Sequence, residues 1–301
     1  MSNKNINVIL SQMSKLPLTI IIVSFNSEKY IDKCIRSIFN SKYDAKNLQI
    51  IIVDNNSTDS TISKINSLIQ KHKNINLIQN KKNIGFAKAI NIGIKESFKT
   101  EFIMLLNPDI QLNKSTIINL INCAKAGDAG IAGGSTYGTG HRETGSYFRF
   151  PNLRVGLYDF TNLRKLYKSD RWHNYFYYKD LTYDKLSCFF VDVVTGGFML
   201  IRRETIIKIG YLDERFFMYL EDVDYCLRAK KAGIKILHCD NSKIIHSGGA
   251  SSNNKDRIRH SAWLWSRKLY FLKNFDLLSN IIIQPVFLID DAIILFKKYL
   301  F

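Results

Sequence analysis

This chain is short of acid relative to base. Its 26 aspartates and glutamates face 43 lysines and arginines, a formal net charge of +17 over 301 residues. That imbalance points to an anionic partner: nucleic acid, anionic lipid headgroups or a phosphorylated substrate. A solvated surface in a lysine-, asparagine- and isoleucine-rich sequence explains the charge equally well. Cysteine is also scarce. Cys34, Cys123, Cys188, Cys226 and Cys239 never fall as CxxC, which argues against a disulfide framework and against a zinc knuckle. Cys34 and Cys226 sit on apolar faces of expected helices, so the thiols read as buried and structural, in a reducing compartment. No apolar run is long enough to cross a bilayer; the nearest, Ile281 to Leu295, is broken by Gln284, Pro285, Asp290 and Asp291. The opening Met1–Ser2–Asn3–Lys4 leads into no apolar leader and no small-residue cleavage site. Internal repeats and low-complexity linkers are absent too. What remains is a chain with 46% hydrophobic and 23% charged residues, able to bury a sizeable core as one large α/β domain with or without an appendage.

The first half alternates strand and helix signals, the pattern of a parallel sheet. Leu18–Thr19–Ile20–Ile21–Ile22–Val23 is a continuous β-branched run, and Tyr30, Ile31, Cys34, Ile35, Ile38 and Phe39 then follow helical spacing. Ile50–Ile51–Ile52–Val53 predicts a second buried strand, after which Ser60 can cap a helix bearing Ile62, Ile65, Leu68 and Ile69. Ile75–Ile78, a helix over Phe86 to Phe98, and Phe102–Leu106 continue the alternation. From Tyr147 to Tyr178 aromatic and basic residues interleave without a clean period, which reads as an insertion or lid at about 140–188. Regularity returns at Val191–Val194 and Phe198–Ile201. A short helix ends near Gly210, and another runs from Glu221 to a cap at Gly233. Ile234–Leu237 and Lys243–Ile245 read as two short strands, and the chain from Arg257 onward reads as amphipathic helix.

Few residues have a chemistry of their own. Pro108 removes a donor and stops the fourth strand, leaving Asp109 at its tip, where open α/β sheets bind ligands. A carboxylate there suits Mg²⁺ or Mn²⁺ bridging to phosphates. His246, which precedes Ser247–Gly248–Gly249, is either a further ligand favouring Mn²⁺ or a structural histidine. Glu221 and Asp222 open a helix, where free amides stabilise carboxylates. Capping explains them, and so does a base that takes the proton of an attacking hydroxyl. Asp224 needs no more than the capping account, and the aromatic approach Phe216–Leu220 is either packing or a sugar-stacking wall. Asp54 contacts a base or ribose, or simply makes a turn. Gly85 places helix-entry amides and Lys88 near a phosphate, or marks a plain helix start. Gly196–Gly197 permits close approach of a sugar, or a tight turn. The stretch Gly138–Glu143 lacks the last glycine of a dinucleotide fingerprint.

Several segments in one order carry a resemblance: Ile22–Asn26, Val53–Asp59, Asn83–Ala87, Leu106–Asp109, Thr195–Leu200, Gly210–Asp224 and His246–Gly249. Together they resemble glycosyltransferase family 2, and within it the rhamnosyltransferase-like branch, over roughly residues 18 to 250. The resemblance implies an α/β GT-A fold, a mixed, mainly parallel, Rossmann-like sheet flanked by helices. It places the catalytic domain over 1–250 and an amphipathic helical extension over 251–301. It implies inverting transfer of a sugar from a nucleotide diphosphate, with dTDP-L-rhamnose the best single donor and a UDP-sugar open. Ser24, Asn26, Asp54, Asn83, Gly85, Lys88, Asn107 and Asp109 would contact the donor. Asp222 would be the general base, with Glu221 beside it touching the acceptor. Gly196, Gly197 and Tyr219 would complete the acceptor side, and Asp109 with His246 would hold Mg²⁺ or Mn²⁺. Asn107 departs from the acidic residue many members carry there, leaving one carboxylate fewer.

The branch builds bacterial surface glycans such as O-antigen or capsule on polyprenyl-diphosphate carriers, which implies a peripheral enzyme on the cytoplasmic membrane face. Arg257, Arg259, Arg267, Lys268 and Lys273, with Trp263, Trp265, Tyr270 and Phe271 among them, would suit an interfacial helix or pack back onto the catalytic domain. No nucleic acid is expected on this reading. Two others compete with it: a nucleic-acid-binding protein using the basic aromatic stretch Arg142 to Lys185, with salt-sensitive affinity, and a catalytically idle glycan-binding protein that keeps the fold.

Overall fold

The apolar runs build one sheet. A computed structural model of the chain describes residues 17–140, 142–167, 169–179, 187–247 and 256–300. Strands β1 (Leu18–Ser24), β2 (Leu48–Asp54), β3 (Ile75–Gln79) and β4 (Phe102–Leu106) pair in parallel in the order β3-β2-β1-β4. Their Ile- and Val-rich runs are buried on both faces, as a parallel sheet between helices requires. The crossovers are α1 (Ile31–Phe39), α2 (Thr61–Lys71) and α3 (Phe86–Lys95). Because β2 and β4 flank β1 on opposite sides, the strand order reverses there, and a crevice opens at the carboxyl ends of these strands.

Beyond β4 the sheet becomes mixed, continuing through β11 (Phe198–Arg202), β6 (Ile131–Tyr137), β12 (Ile236–His246) and β5 (Ile110–Leu112). Strand β11 runs antiparallel to β4, with Phe198 opposite Leu106. Helix α4 (Thr116–Ala126) packs its Ile117, Leu120 and Ile121 into the same buried cluster as α1. The two short strands expected after Gly233 are one strand, β12, irregular between Cys239 and Lys243. Past that irregularity β12 pairs with β5, setting His246 opposite Ile110 and next to the β4–β5 turn. Gly233 adopts a left-handed φ of 75° just after α9 (Glu221–Lys231), as its capping position demands.

The aperiodic insertion is ordered into short pieces. Strands β7 (Glu143–Thr144) and β8 (Tyr147–Phe148) precede α5 (Leu153–Tyr158), α6 (Leu163–Tyr167) and α7 (Arg171–Phe176). Ring contacts rather than helical periodicity hold them: Phe160 meets Phe176 and Trp263 edge-on, at 5.6 and 5.0 Å between centroids. After the insertion β9 (Cys188–Phe190) pairs with β12, and β10 (Val193–Val194) pairs with β8. Cysteine chemistry differs from expectation at one place. Cys123 of α4 and Cys188 of β9 are joined as a disulfide, with Cys239 directly across from Cys188, whereas Cys34 and Cys226 are buried thiols as expected. A separation of 65 residues hid the pairing from any motif count.

After α8 (Arg203–Ile209) and α9, the chain ends in α10 (Asp256–Asn274) and α11 (Leu277–Leu300). Tyr270, Phe271, Ile283 and Phe287 enter the same buried cluster as Val155 and Phe176 of the insertion. Of the two placements open for the basic residues of α10, Arg267, Lys268 and Lys273 take the inward one. Arg267 is 1% exposed, pairs with Asp290 at 2.7 Å and with Asp291, and donates to the Phe160 carbonyl. Lys268 pairs with Asp291, and Lys273 bridges Asp213 and Asp224. By length and composition, Leu277–Phe296 is also apolar enough to cross a membrane, so Gln284, Pro285, Asp290 and Asp291 do not disqualify it as the sequence suggested. Gly248, Gly249 and residues 180–186 lie outside the described residues.

Removing one partner of a buried ion pair leaves the other charge uncompensated, which costs about 3–5 kcal/mol. Arg267→Ala is therefore expected to lower stability by about that amount in chemical denaturation, with proteolysis first appearing at α10–α11. A change below about 1 kcal/mol, the range of an exposed pair, would show that Arg267 does not tie these helices down.

Candidate active site

The crevice at the strand ends is a cleft of about 660 Å³. It is lined by Val23, Phe25, Asn55, Asn83 and Gly85, by Asn107, Asp109, Gly197 and His246, and by Tyr219, Glu221 and Asp222. The sheet explains the second group. The Asn107 N–H donates to the Gly197 carbonyl at 2.9 Å, so β11 hands its leading glycine to the tip of β4. A Cβ on Gly197 would meet the Asn107 amide at 2.7 Å and have to push that side chain aside. Gly85 is more tightly constrained, with φ +89° and Phe217 backbone 2.5 Å from where a Cβ would sit.

Asp109 and His246 come together although 137 residues separate their numbers (246 − 109). His246 Nε2 lies 3.1 Å from an Asp109 carboxylate oxygen, and the Ser247 N–H holds the Asp109 carbonyl at 3.0 Å. Two adjacent donors of an octahedral ion at about 2.1 Å stand about 3 Å apart. The pair therefore fits a divalent cation, and a nitrogen beside an oxygen suits Mn²⁺ as well as Mg²⁺.

Glu221 and Asp222 follow a corner in which Tyr219 and Leu220 both take left-handed φ values, 73° and 62°. Such residues carry backbone strain that the surrounding packing must overcome. The packing comes from α10: Arg259 donates to the Tyr219 hydroxyl at 2.8 Å, Ser266 to the Met218 carbonyl at 2.9 Å, and Trp265 to the Arg215 carbonyl at 3.3 Å. The two carboxylates then differ in what they receive. Asp222 accepts the Gly196 and Val223 N–H groups, each at 2.8 Å. Glu221 is buried, and its Oε2 has no hydrogen-bond partner among the described residues. Burial pushes both acids up, and the neighbouring Asp222 charge pushes Glu221 further, well above the ordinary carboxylate range. Of the two, Glu221 is the more strongly disfavoured as a carboxylate, and Asp222 has the N–H donors that compensate a charge.

The remaining candidates fall outside the cleft lining. Ser24 and Asp54 lie beneath it, where Asp54 accepts from the Ser24 hydroxyl at 2.7 Å and the Ser57 N–H at 2.8 Å. Asn26 takes a positive φ and accepts the Thr58 N–H at 2.7 Å, so these three residues brace the loops after β1 and β2. Lys88 is half exposed, with its Nζ 3.9 Å from Glu214. Gly196 acts through its N–H on Asp222. Sequence reasoning missed Asn55, whose Nδ2 donates to the Gly85 carbonyl at 3.1 Å. It also missed Phe160, Arg164, His173, Arg259 and Trp263, which line the same cleft. The interleaved aromatic and basic composition was their signal, without positions.

The model of the family described as "Glycosyl transferase family 2" matches residues 19–210. The chain belongs to that family. Its curated relatives include an N-acetylglucosaminyl-diphospho-decaprenol L-rhamnosyltransferase of Mycobacterium tuberculosis, 25% identical over 81% of this chain and 80% of the relative. Rhamnosyltransferase WbbL of Escherichia coli K12 is 26% identical over 87% of this chain and 98% of the relative. These place the chain in the rhamnosyltransferase-like branch. Among solved structures, a mannosyltransferase from Pyrobaculum calidifontis in complex with GDP-Man and Mn²⁺ superposes with a TM-score of 0.60 at 14% identity, covering 87% of this chain and 66% of that one. TarS of S. aureus (residues 1–349) superposes at 0.54 and 16% identity, covering 91% of this chain and 71% of that one. The fold is GT-A, as the motifs implied.

A carboxyl whose folded pKa is raised stabilises the native state at low pH and loses that contribution as pH rises through the folded value. For Glu221 the loss begins above its ordinary 4.5 and runs to the raised value. Glu221→Gln removes this titration. The variant is expected to lose less stability than the wild type as pH rises from the ordinary carboxylate range in denaturant titrations. Parallel curves would mean that Glu221 is ionised throughout.

Proposed function

We propose that this glycosyltransferase moves a sugar with inversion from a nucleotide-diphosphate donor, dTDP-L-rhamnose, to a hydroxyl of a lipid-linked bacterial surface glycan such as an O-antigen or capsule precursor. The observation that carries the reading is that Asp222 and the close Asp109–His246 pair line one cleft. A single-displacement transfer needs a base on one face of the sugar and charge neutralisation at the leaving group on the other.

Asp222 accepts the acceptor hydroxyl proton as that oxygen bonds to the anomeric carbon. The anomeric carbon–oxygen bond breaks, and its electron pair leaves with the nucleotide diphosphate. The raised pKa strengthens Asp222 as a base. Its two N–H donors fix the carboxylate on its rotamer, and the protonated Glu221 beside it can donate to an acceptor oxygen. Asp109 and His246 would hold Mg²⁺ or Mn²⁺, which would supply countercharge for the diphosphate. Asn83, Gly85 and Asn107 line the donor end, where Ser24, Asn26 and Asp54 keep the loops in place from below. Gly197 and Tyr219 border the acceptor, with Gly196 orienting the base.

The rhamnosyltransferases among the relatives, one of them named for a diphospho-decaprenol acceptor, support donor and acceptor. A UDP-sugar is the second reading, because TarS was solved with UDP-GlcNAc on the same fold. We place the catalytic unit over residues 1–250 with 251–301 as its extension, on the cytoplasmic face of the membrane.

The test is release of nucleoside diphosphate from a panel of dTDP- and UDP-sugars with Mn²⁺ or Mg²⁺ and lipid-linked glycan extract. Turnover is expected with dTDP-L-rhamnose. Asp222→Asn should cut it by about 10²–10⁴ with donor binding retained, and Asp109→Ala should weaken metal-dependent donor binding. Full activity in Asp222→Asn would contradict the assignment.

A further inference from the structure

The C-terminal helix has two faces of opposite kind. Inward, Asn280, Ile283, Phe287, Asp290 and Asp291 recur at helical spacing and are buried. Outward, each exposed position from 277 to 296 holds an apolar residue, Pro285 and Ala292 included. Leu277 and Leu278 are 75% and 74% exposed, and Ile281, Ile289 and Phe296 are 60%, 61% and 66% exposed. Leu272, near the end of α10, adds to the patch at 59%. Isolated exposed leucines mean little, but a continuous apolar stripe this long marks a surface that another phase or molecule covers.

We infer that α11 is a membrane seat: it lies in the plane of an anionic bilayer surface with this stripe in the headgroup–acyl boundary, and it does not cross. The inference rests on the lipid-linked acceptor proposed above, and three observations select a bilayer lying flat as the occupant. First, the inward face is pinned. Arg267 pairs with Asp290 and Asp291, and Asn280 Nδ2 donates to the Phe271 carbonyl at 3.1 Å. Crossing would strip Arg267 of both counter-charges and drag two carboxylates into hydrocarbon, a cost of several kcal/mol. Second, the net charge of +17 complements anionic headgroups, and Lys297 and Lys298 follow the stripe in sequence. Third, α10 joins the stripe to the cleft. Its first turns place Ile258, Arg259 and Trp263 in the cleft wall, and Leu272 stands at its far end. With a rise of about 1.5 Å per residue, the cleft wall is within one helix length of the seat. A glycan on a lipid carrier would reach the base from the surface on which the enzyme rests. The membrane contact thus moves from the basic ridge of α10, where Arg267, Lys268 and Lys273 are engaged internally, to the apolar stripe of α11.

The test is co-sedimentation of the full chain with vesicles of phosphatidylglycerol and phosphatidylcholine, set against Leu278→Glu/Ile282→Glu/Ile289→Glu. These positions touch neither the cleft nor the Arg267 network, so the triple variant should keep its melting temperature. Wild-type protein should pellet with the vesicles and be released by alkaline carbonate, and the variant should bind roughly tenfold less or weaker. Wild-type protein left in the supernatant would overturn the inference, as would carbonate-resistant insertion. So would a stable dimer in light scattering that the three substitutions dissolve. Because the readout needs no sugar transfer, loss of vesicle binding and failure of donor turnover are separate results. Turnover in the variant on a detergent-dispersed acceptor should match wild type.

Discussion

Two adjacent carboxylates open one helix, and they are supplied with donors unequally: Glu221 Oε2 has no partner among the described residues. Asp222 has the Gly196 and Val223 N–H groups, while Glu221 has burial and a like charge next to it. In a low-dielectric cleft that asymmetry favours the charge on Asp222, because an uncompensated buried carboxylate is much costlier than a protonated one. Much of the nearby structure serves the asymmetry. Gly196 must follow β10 closely enough to offer its N–H, and Gly197 must press against Asn107 so that β11 starts at the tip of β4. The left-handed corner at Tyr219 and Leu220 turns the helix start into the cleft.

That corner is held by the C-terminal helices. Helix α10 donates to Met218 and Arg215 carbonyls and to the Tyr219 hydroxyl, and its Lys273 reaches Asp213 and Asp224 on either side of the corner. Arg267 in turn binds α10 to α11 through a buried network. The extension is therefore a brace for the corner before Glu221 and Asp222 as well as a candidate membrane seat. Helix α10 links that strained turn to the apolar stripe of α11.

How much of this could be read beforehand depended on whether the signal was local. Strands β1, β2 and β4 were legible because runs such as Ile20–Ile21–Ile22 are buried on both faces. Asp109 was legible because Pro108 ends its strand, and Glu221–Asp222 because they open a helix. The meeting of Asp109 with His246 rests on a strand irregularity at Cys239–Lys243, for which composition has no signal. Arg267, Lys268 and Lys273 looked like a surface ridge because their acids lie far away in sequence. Asp224 looked like a cap and is instead a fully buried partner of Arg228 and Lys273. The insertion has no period because ring contacts, not helical faces, order it.

The central claim is that a single base, Asp222, acts directly on the acceptor in one displacement. The measurement that tests it most directly is the anomeric configuration of the first product formed from a donor of known configuration, followed by proton NMR. A product inverted at the anomeric carbon from the earliest time points is predicted. Retention would require a covalent intermediate or a different reacting face, and would remove Asp222 from the role assigned to it.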